Sequence, residues 1–210
     1  MKKYVVEFIG TFFLVLTVWL ASKYAGNLAA LAIWSVLMVM VYAGGHISGG
    51  HYNPAVTLGV LVRWKTNISE TIMYWISQIL GGIVAALVVV FLAGNGTATA
   101  IASDMTWKVI TAEALFTFAL VWTVLHTATT RSNNNNSFFG LAIWFIVLVG
   151  ALSVGAISGG AFNPAVALGG IFDGTFAAST VWMHLVGQVL GALVAAIVFN
   201  YVYVDRRDEN

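Results

Sequence analysis

The hydrophobic positions of the chain fall into six long runs that contain few charged residues. Most of these runs approach the roughly 20 residues that span a bilayer as an α-helix. Two further apolar runs, at 54–62 and 164–172, are too short to cross. The pattern therefore predicts an all-α membrane protein with six transmembrane helices and two re-entrant half-helices that end inside the membrane. The predicted spanning runs are 4–21, 28–43, 72–92, 109–127, 138–156 and 176–204.

A repeated motif surrounds the two short runs. The first copy, at 47–59, reads ISGGHYNPAVTLG, and the second, at 157–169, reads ISGGAFNPAVALG. Alignment of the two copies defines the equivalent positions in the two halves of the chain. Each copy holds one of the chain's two prolines, directly after Asn53 or Asn163. Proline at the first position of a helix wastes no backbone donor, because that N–H has no partner within the helix. Each copy therefore predicts an irregular segment that leads into a short helix.

The repeat extends into the spanning helices, since Glu7 of the first run recurs as Glu113 of the fourth. Residues 1–105 and 106–210 then form two copies of one unit within a single integral domain. Each unit contains three spanning helices and one half-helix. Because three crossings is an odd number, the second copy enters the membrane from the other side, which predicts inverted repeats.

Composition supports a membrane protein, with 60% hydrophobic residues, 8% charged residues and a mean hydropathy of +0.91. A net charge of +1 gives no basis for binding nucleic acid, and the absence of cysteine excludes disulfides and thiol chemistry. By the positive-inside rule, both termini are expected on the cytoplasmic side. Basic residues on that side would be Lys2, Lys3, Arg63, Lys65, Arg131, Arg206 and Arg207, against Lys23 and Lys108 on the other.

The starts of the two half-helices indicate a possible chemistry. Non-helical backbone within a membrane is tolerated only where protein buries it or where it lines a watery cavity. The N-terminal end of a helix carries partial positive charge, and an asparagine there caps the helix while presenting side-chain donors. We therefore expect Asn53 and Asn163 to meet near the membrane centre, to donate hydrogen bonds to neutral oxygens and to repel cations. No cofactor and no metal is expected.

With these features the chain resembles the aquaporin and glycerol-facilitator family of membrane channels. The resemblance implies a homotetramer with one pore in each subunit, and it implies that Glu7 and Glu113 brace the two re-entrant segments. Lipid exposure of such carboxylates would be costly, which agrees with a role inside the bundle. The residues that carry the resemblance are the two Asn-Pro-Ala motifs, formed by Asn53, Pro54, Ala55, Asn163, Pro164 and Ala165.

In this family the pore narrows at a filter that usually contains an aromatic residue, often a histidine, and an arginine three residues after the second asparagine. This sequence departs from the family pattern, because it has neither arginine nor histidine at the aligned positions. Valine in place of arginine removes a fixed charge and a fork of donors, so we expect a wider and more apolar constriction. Counted from the motifs, the filter positions are Ile33, Ala151, Gly160 and Val166, with Trp34 as the alternative to Ile33.

Some tonoplast-type aquaporins are similar in having Asn-Pro-Ala-Val at the second motif, and this likeness implies water plus small neutral solutes. We expect a passive channel that excludes ions and protons and lies in the plasma (inner) membrane. Its solutes would include ammonia, hydrogen peroxide, urea or glycerol. Two alternatives stay open: a glycerol or urea facilitator that conducts water poorly, and an ion-coupled transporter that uses Glu7 and Glu113. The chain lacks the clustered nucleophile and base expected of an enzyme.

The four histidines have two interpretations each. His46 and His51 flank the first Gly-Gly pair, where a metal site or pH sensor is conceivable, but no carboxylate is adjacent in sequence. His126 and His184 fall in apolar runs, where a proton relay is the alternative to a packed, hydrogen-bonded side chain. For all four we favour the structural role.

Overall fold

The computed structural model describes residues 1–203, apart from the side chain of Trp34. Within these residues the secondary structure is helical, with no strand, and the predicted all-α fold is confirmed. Short 3-10 turns at Gly26–Leu28 and Ser103–Met105 precede two of the helices. The α-helices are α1 (Lys2–Tyr24), α2 (Ala29–Ser48), α3 (Pro54–Val62), α4 (Ile68–Ala93), α5 (Thr106–Ala128), α6 (Phe139–Ser158), α7 (Pro164–Phe172) and α8 (Trp182–Val202).

Six of the helices in residues 1–203 are long and apolar enough to cross a membrane, and they correspond to the six predicted runs. The short helices α3 and α7 occupy the two predicted half-helix segments. The start of the last run, placed at 176, is wrong, because α8 begins only at Trp182. Residues 176–181 form turns and bends instead, since the ring of Phe176 folds back to pack on His184 and Trp19. The run's predicted end at 204 lies outside the described residues.

The half-helices α3 and α7 run in opposite directions from the centre of the bundle. We call the end of the bundle that holds the start of α1 and the end of α8 the terminal face, and the other end the opposite face. Helix α3 reaches the terminal face, where Asn200 Nδ2 donates to the Val62 carbonyl at 3.0 Å. Helix α7 reaches the opposite face, where the Gly96 N–H donates to the Asp173 carbonyl at 2.7 Å.

The two half-helices end in residues of opposite charge at equivalent positions of the repeat, Arg63 and Asp173. A cation suits the negative C-terminal end of a helix, and an anion does not. The Arg63 guanidinium lies over the rings of Phe199 and Tyr203, at 4.9 and 5.4 Å from their centroids. Asp173 is fully buried, and its Oδ1 accepts the Thr175 N–H at 3.0 Å. The end of α3 is thus stabilised electrostatically, whereas α7 carries a buried carboxyl at its unfavourable end.

Glycines allow the spanning helices of each half to pack backbone against backbone. A Cβ atom on Gly81 of α4 would lie 2.6 Å from the Phe8 carbonyl oxygen of α1. In the second half, a Cβ on Gly187 of α8 would lie 2.6 Å from the Ile110 carbonyl oxygen of α5. Small residues at helix contacts are the usual route to close packing in membranes. These contacts hold the helices that carry Glu7 and Glu113 against their neighbours.

Candidate functional site

The two asparagines of the repeat cap the half-helices at the centre of the bundle. Asn53 Oδ1 accepts the Ala55 N–H at 2.8 Å, and Asn163 Oδ1 accepts the Ala165 N–H at 2.9 Å. Both asparagines have extended backbone, and the proline that follows each occupies the first turn of its helix. The capping oxygen therefore points the amide nitrogen of each side chain away from its own helix.

Each amide nitrogen reaches across to the other half of the chain. Asn53 Nδ2 donates to the Phe162 carbonyl at 2.9 Å, and Asn163 Nδ2 donates to the Tyr52 carbonyl at 2.9 Å. A side-chain amide has two N–H groups, so each asparagine keeps one for the cavity that both of them line. The structure thus brings the two predicted asparagines together as a pair of donors.

The residues that supply these carbonyls have strained backbone. Tyr52 and Phe162 both have a φ of 47°, which is rare for bulky side chains. Their rings fill space left by missing side chains: Tyr52 packs at Gly10, and a Cβ on Gly150 would lie 2.8 Å from Phe162. The Tyr52 hydroxyl also donates to the Met40 carbonyl at 2.9 Å. Strain of this kind costs about 1–3 kcal/mol per residue, so the surrounding contacts must hold both turns in place.

Glu7 provides these contacts for the first re-entrant segment. Its Oε1 accepts the Ser48 hydroxyl at 2.7 Å and the His51 N–H at 3.0 Å. Its Oε2 accepts the Tyr52 N–H at 2.7 Å and Gln78 Nε2 at 2.8 Å. The carboxylate is fully buried and still accepts four hydrogen bonds from described residues. Burial of the charge is therefore compensated by donors that simultaneously fix the segment.

Glu113 repeats the arrangement for the second segment. Its Oε1 accepts the Ser158 hydroxyl at 2.6 Å and the Ala161 N–H at 3.1 Å. Its Oε2 accepts the Phe162 N–H at 2.8 Å and Gln188 Nε2 at 2.7 Å. Every donor stands at the position of the repeat that is equivalent to its counterpart in the first half. The bracing that the family resemblance implies for both glutamates corresponds to these contacts.

We call each buried glutamate together with its four donors a glutamate cradle. Polar contacts beside the two glutamate cradles differ between the halves. His51 Nδ1 lies 3.1 Å from Thr57 Oγ1, which also accepts Gln78 Nε2 at 2.9 Å. The equivalent positions in the second half are Ala161 and Ala167, which carry no polar side-chain atoms. Within residues 1–203, no group of three or more His, Asp or Glu side chains could hold a metal ion. The first half thus presents more hydrogen-bonding side chains than the second.

Two further residues support the re-entrant segments: Tyr74, which sequence analysis missed, and His184, for which it favoured a structural role without naming a partner. The Tyr74 hydroxyl donates to the Ser48 carbonyl at 2.6 Å, and His184 Nε2 lies 2.7 Å from the Ser158 carbonyl oxygen. Both contacts fix the last turn of the helix that leads into a re-entrant segment. The signal was present in the repeat, because Tyr74 and His184 stand at equivalent positions of the two halves, as do the two serines.

Three cavities lie in series through the bundle. A central cavity of about 20 Å³ is lined by Asn53 and Asn163 with aliphatic side chains of several helices. It shares Val166 with a cavity of about 170 Å³ near the opposite face, the opposite-face cavity. It shares His51 and Val124 with a cavity of about 330 Å³ near the terminal face, the terminal-face cavity. Because a water molecule needs about 10–15 Å³ of such volume, the central cavity has room for about one water molecule.

The predicted filter positions come together in the opposite-face cavity, which is lined by Ile33, Ala151, Gly160 and Val166. The side chain of Trp34, the alternative to Ile33, lies outside the described part of the structure. Among the described residues that line this cavity, none is charged and none is histidine. Trp19 of α1 lines it too, and no motif marked that residue. The role of the four positions as a filter stays a prediction.

Asp173, near the opposite face, has an altered acidity. Burial raises the pKa of its carboxyl above the ordinary value of 3.8, while the Thr175 N–H and the charge of Lys23 act in the opposite direction. The folded protein therefore binds this proton more tightly than the unfolded chain does. Stability contributed by the protonated carboxyl is lost as the pH rises from 3.8 through the raised pKa.

Comparison with known proteins gives consistent matches. The family model described as Major intrinsic protein matches residues 1–199. Aquaporin TIP1-2 of Musa acuminata is 37% identical over 181 residues, which cover 84% of this chain and 71% of that protein. Glycerol uptake facilitator protein-like 6 of Lactiplantibacillus plantarum is 37% identical over 217 residues, covering 93% of this chain and 95% of that protein. The X-ray structure of the aquaglyceroporin from Plasmodium falciparum shares the fold, with a TM-score of 0.82, 19% identity and coverage of 100% of this chain and 99% of that one.

Replacement of Glu113 by glutamine tests whether the hydrogen bonds of the second glutamate cradle stabilise the fold. The amide offers one acceptor oxygen where the carboxylate offers two, so donors such as the Phe162 N–H lose their partner. We expect the free energy of unfolding to fall by about 1–3 kcal/mol for each unpaired donor, measured by thermal or denaturant unfolding in detergent. Glu70→Gln is the control, because Glu70 forms a partly exposed ion pair with Lys3. Such a pair is worth about 0–1 kcal/mol, and equal losses in the two variants would contradict the prediction.

Asp173→Asn tests the buried carboxyl at the end of α7. Asparagine keeps an oxygen for the Thr175 N–H and removes the charge, so we expect a higher unfolding temperature than wild type at neutral pH. The difference should shrink as the pH falls from neutral and reach its minimum below 3.8, where the wild-type carboxyl is protonated in both the folded and the unfolded state. The exposed Asp104, at the same face, gives the matched control Asp104→Asn. A less stable Asp173→Asn protein at neutral pH would refute this account.

Proposed function

The chain belongs to the major intrinsic protein family, and on this premise we propose that it is a passive membrane channel for water that also admits small uncharged solutes. The observation that carries the proposal is the series of three cavities that passes the paired asparagines. The described residues that line the central cavity include no Asp, Glu, Lys or Arg. A path of this kind suits a neutral permeant that exchanges hydrogen bonds with the protein one molecule at a time.

Water selection and ion exclusion follow from the same geometry. The spare N–H groups of Asn53 and Asn163 donate to the oxygen of a passing water molecule, while most of the wall is aliphatic and His51 is the only other hydrogen-bonding side chain among the described lining residues. Two positive helix ends point at the same place, so a cation is repelled there. An anion or cation would also lose most of its hydration in the narrow central cavity, and side chains there do not replace that shell.

The range of solutes depends on the opposite-face cavity. Ala151, Gly160 and Val166 are small, and the cavity has more room than the central one. We include ammonia, hydrogen peroxide, urea and glycerol among the permeants on this ground. A glycerol or urea facilitator with poor water conduction is the second candidate, favoured by the similarity to a protein named as a glycerol uptake facilitator.

An ion-coupled transporter finds less support. Glu7 and Glu113 would have to bind the coupling ion or proton, but each carboxylate is occupied by four donors. Neither glutamate lines any of the three cavities. Their geometry fits bracing of the re-entrant segments rather than ion transfer. The similarity found is to channels rather than to enzymes.

We also propose that the protein works as a homotetramer in the plasma (inner) membrane, with the terminal face in the cytoplasm. Support for this orientation is the number of basic residues at the terminal face. Arg206 and Arg207, which belong to the same charge argument, lie outside the described residues. Basic residues described at the terminal face are Lys2, Lys3, Arg63, Lys65 and Arg131, against Lys23 and Lys108 at the opposite face.

Stopped-flow light scattering on proteoliposomes tests the channel. We expect osmotic shrinkage several-fold faster than in empty vesicles and no current under voltage clamp in planar bilayers. Fast glycerol entry with water flux equal to that of empty vesicles would favour the facilitator instead. A current coupled to solute flux would support the transporter and overturn the proposal.

Val166→Arg tests the filter. Arginine adds bulk and a charged fork at the boundary between the central and opposite-face cavities, so glycerol and urea should slow more than water, by about tenfold. Val166→Leu separates the effect of bulk from that of charge. Equal slowing of water and solutes by Val166→Arg would mean that the filter lies elsewhere.

A further inference from the structure

The opposite-face cavity has a wall that the four predicted filter positions do not supply. Trp19 of α1 lines it and, at 5% exposure, is almost completely buried. Its indole is the largest side chain among the described residues that line this cavity. Because Ala151 and Gly160 have minimal side chains, the cross-section of the cavity depends strongly on the indole.

Packing holds the indole in place. Trp19 meets Phe176 edge to face, with ring centroids 5.4 Å apart and planes at 84°. A Cβ on Gly170 would lie 2.6 Å from the Phe176 ring and 2.9 Å from the Trp19 ring, so glycine makes room for the pair. His184 contacts Phe176 at 4.5 Å between centroids. The Trp19 indole N–H has no acceptor among the described residues, which leaves packing as the main restraint on its position.

The internal repeat does not place an indole at the other end of the bundle. In the alignment that pairs Glu7 with Glu113, Leu125 of α5 stands at the position equivalent to Trp19. Leu125 is fully buried in the core and is not among the described residues that line the terminal-face cavity. Exposure of this position to a cavity, and its aromatic side chain, are therefore particular to the opposite-face cavity, which is about 170 Å³.

We propose that Trp19 is a fifth filter residue and that its indole sets the largest solute that can cross. The inference rests on the proposed function, because it takes solutes to pass through the opposite-face cavity. A smaller side chain at position 19 enlarges the opposite-face cavity and admits larger neutral solutes. Water permeability is limited by the smaller central cavity, so the substitution changes it less than it changes solute permeability.

The test compares Trp19→Leu and Trp19→Phe with wild type in proteoliposomes, with water, urea, glycerol and erythritol as permeants. We expect the ratio of glycerol to water permeability to rise about tenfold in Trp19→Leu, with a smaller rise in Trp19→Phe and a cut-off shifted toward erythritol. Trp144→Leu is the matched control. The Trp144 indole N–H on α6 is also buried without an acceptor among the described residues, but Trp144 lines none of the three cavities.

The outcomes separate the two proposals. Unchanged solute-to-water ratios in both Trp19 variants, with normal wild-type water flux, overturn the role of Trp19 and leave the channel standing. Wild-type protein that passes neither water nor solute rejects the proposed function and the inference together. If Trp19→Leu does not reconstitute, Trp19→Phe decides, and an unchanged ratio there overturns the inference. An equal rise of the glycerol-to-water permeability ratio in Trp144→Leu also overturns the inference, because a general loosening of helix packing then explains the effect.

Discussion

Two buried carboxylates, Glu7 and Glu113, set the geometry on which the candidate site depends. Removal of a carboxylate from water is costly, and each is compensated by four hydrogen-bond donors, two of them backbone N–H groups of a re-entrant segment. Those bonds hold Tyr52 and Phe162 in a conformation that they would not adopt alone. The carbonyls of these two residues then accept from the central asparagines. Burial, strain and the donor pair are therefore parts of one arrangement.

The scaffold is symmetric, and the lining is not. Equivalent residues brace both re-entrant segments, but the positions next to the cradles differ. His51 and Thr57 interact in the first half where Ala161 and Ala167 stand in the second. The repeat thus keeps the residues that support the two half-helices the same. The residues beside them differ between the two halves. This division explains how the bundle can keep its geometry when the lining residues change.

Much of the fold followed from the sequence because hydrophobic runs and paired prolines report directly on membrane crossing and helix starts. Helix α8 shows the limit: residues 176–181 continue the apolar run, yet Phe176 turns to fill space beside Gly170. Of the site, the asparagines and glutamates stand in the repeat itself. Trp19 does not, because only three-dimensional proximity to the opposite-face cavity distinguishes it from the other aromatic residues of α1. Tyr74 and His184 stand at equivalent positions and contact equivalent serine carbonyls, but their side chains differ, so the sequence alone did not indicate this shared role.

The hydrogen bonds between Asn53 and Phe162 and between Asn163 and Tyr52 cross from one half of the chain to the other. During synthesis, the first half enters the bilayer before residue 162 exists, so Asn53 then has its cap but no cross-chain acceptor. The centre of the bundle can therefore reach its final hydrogen bonding only after residue 162 has been made. The cross-chain hydrogen bonds of the two asparagines thus form only when the two halves of the chain come together.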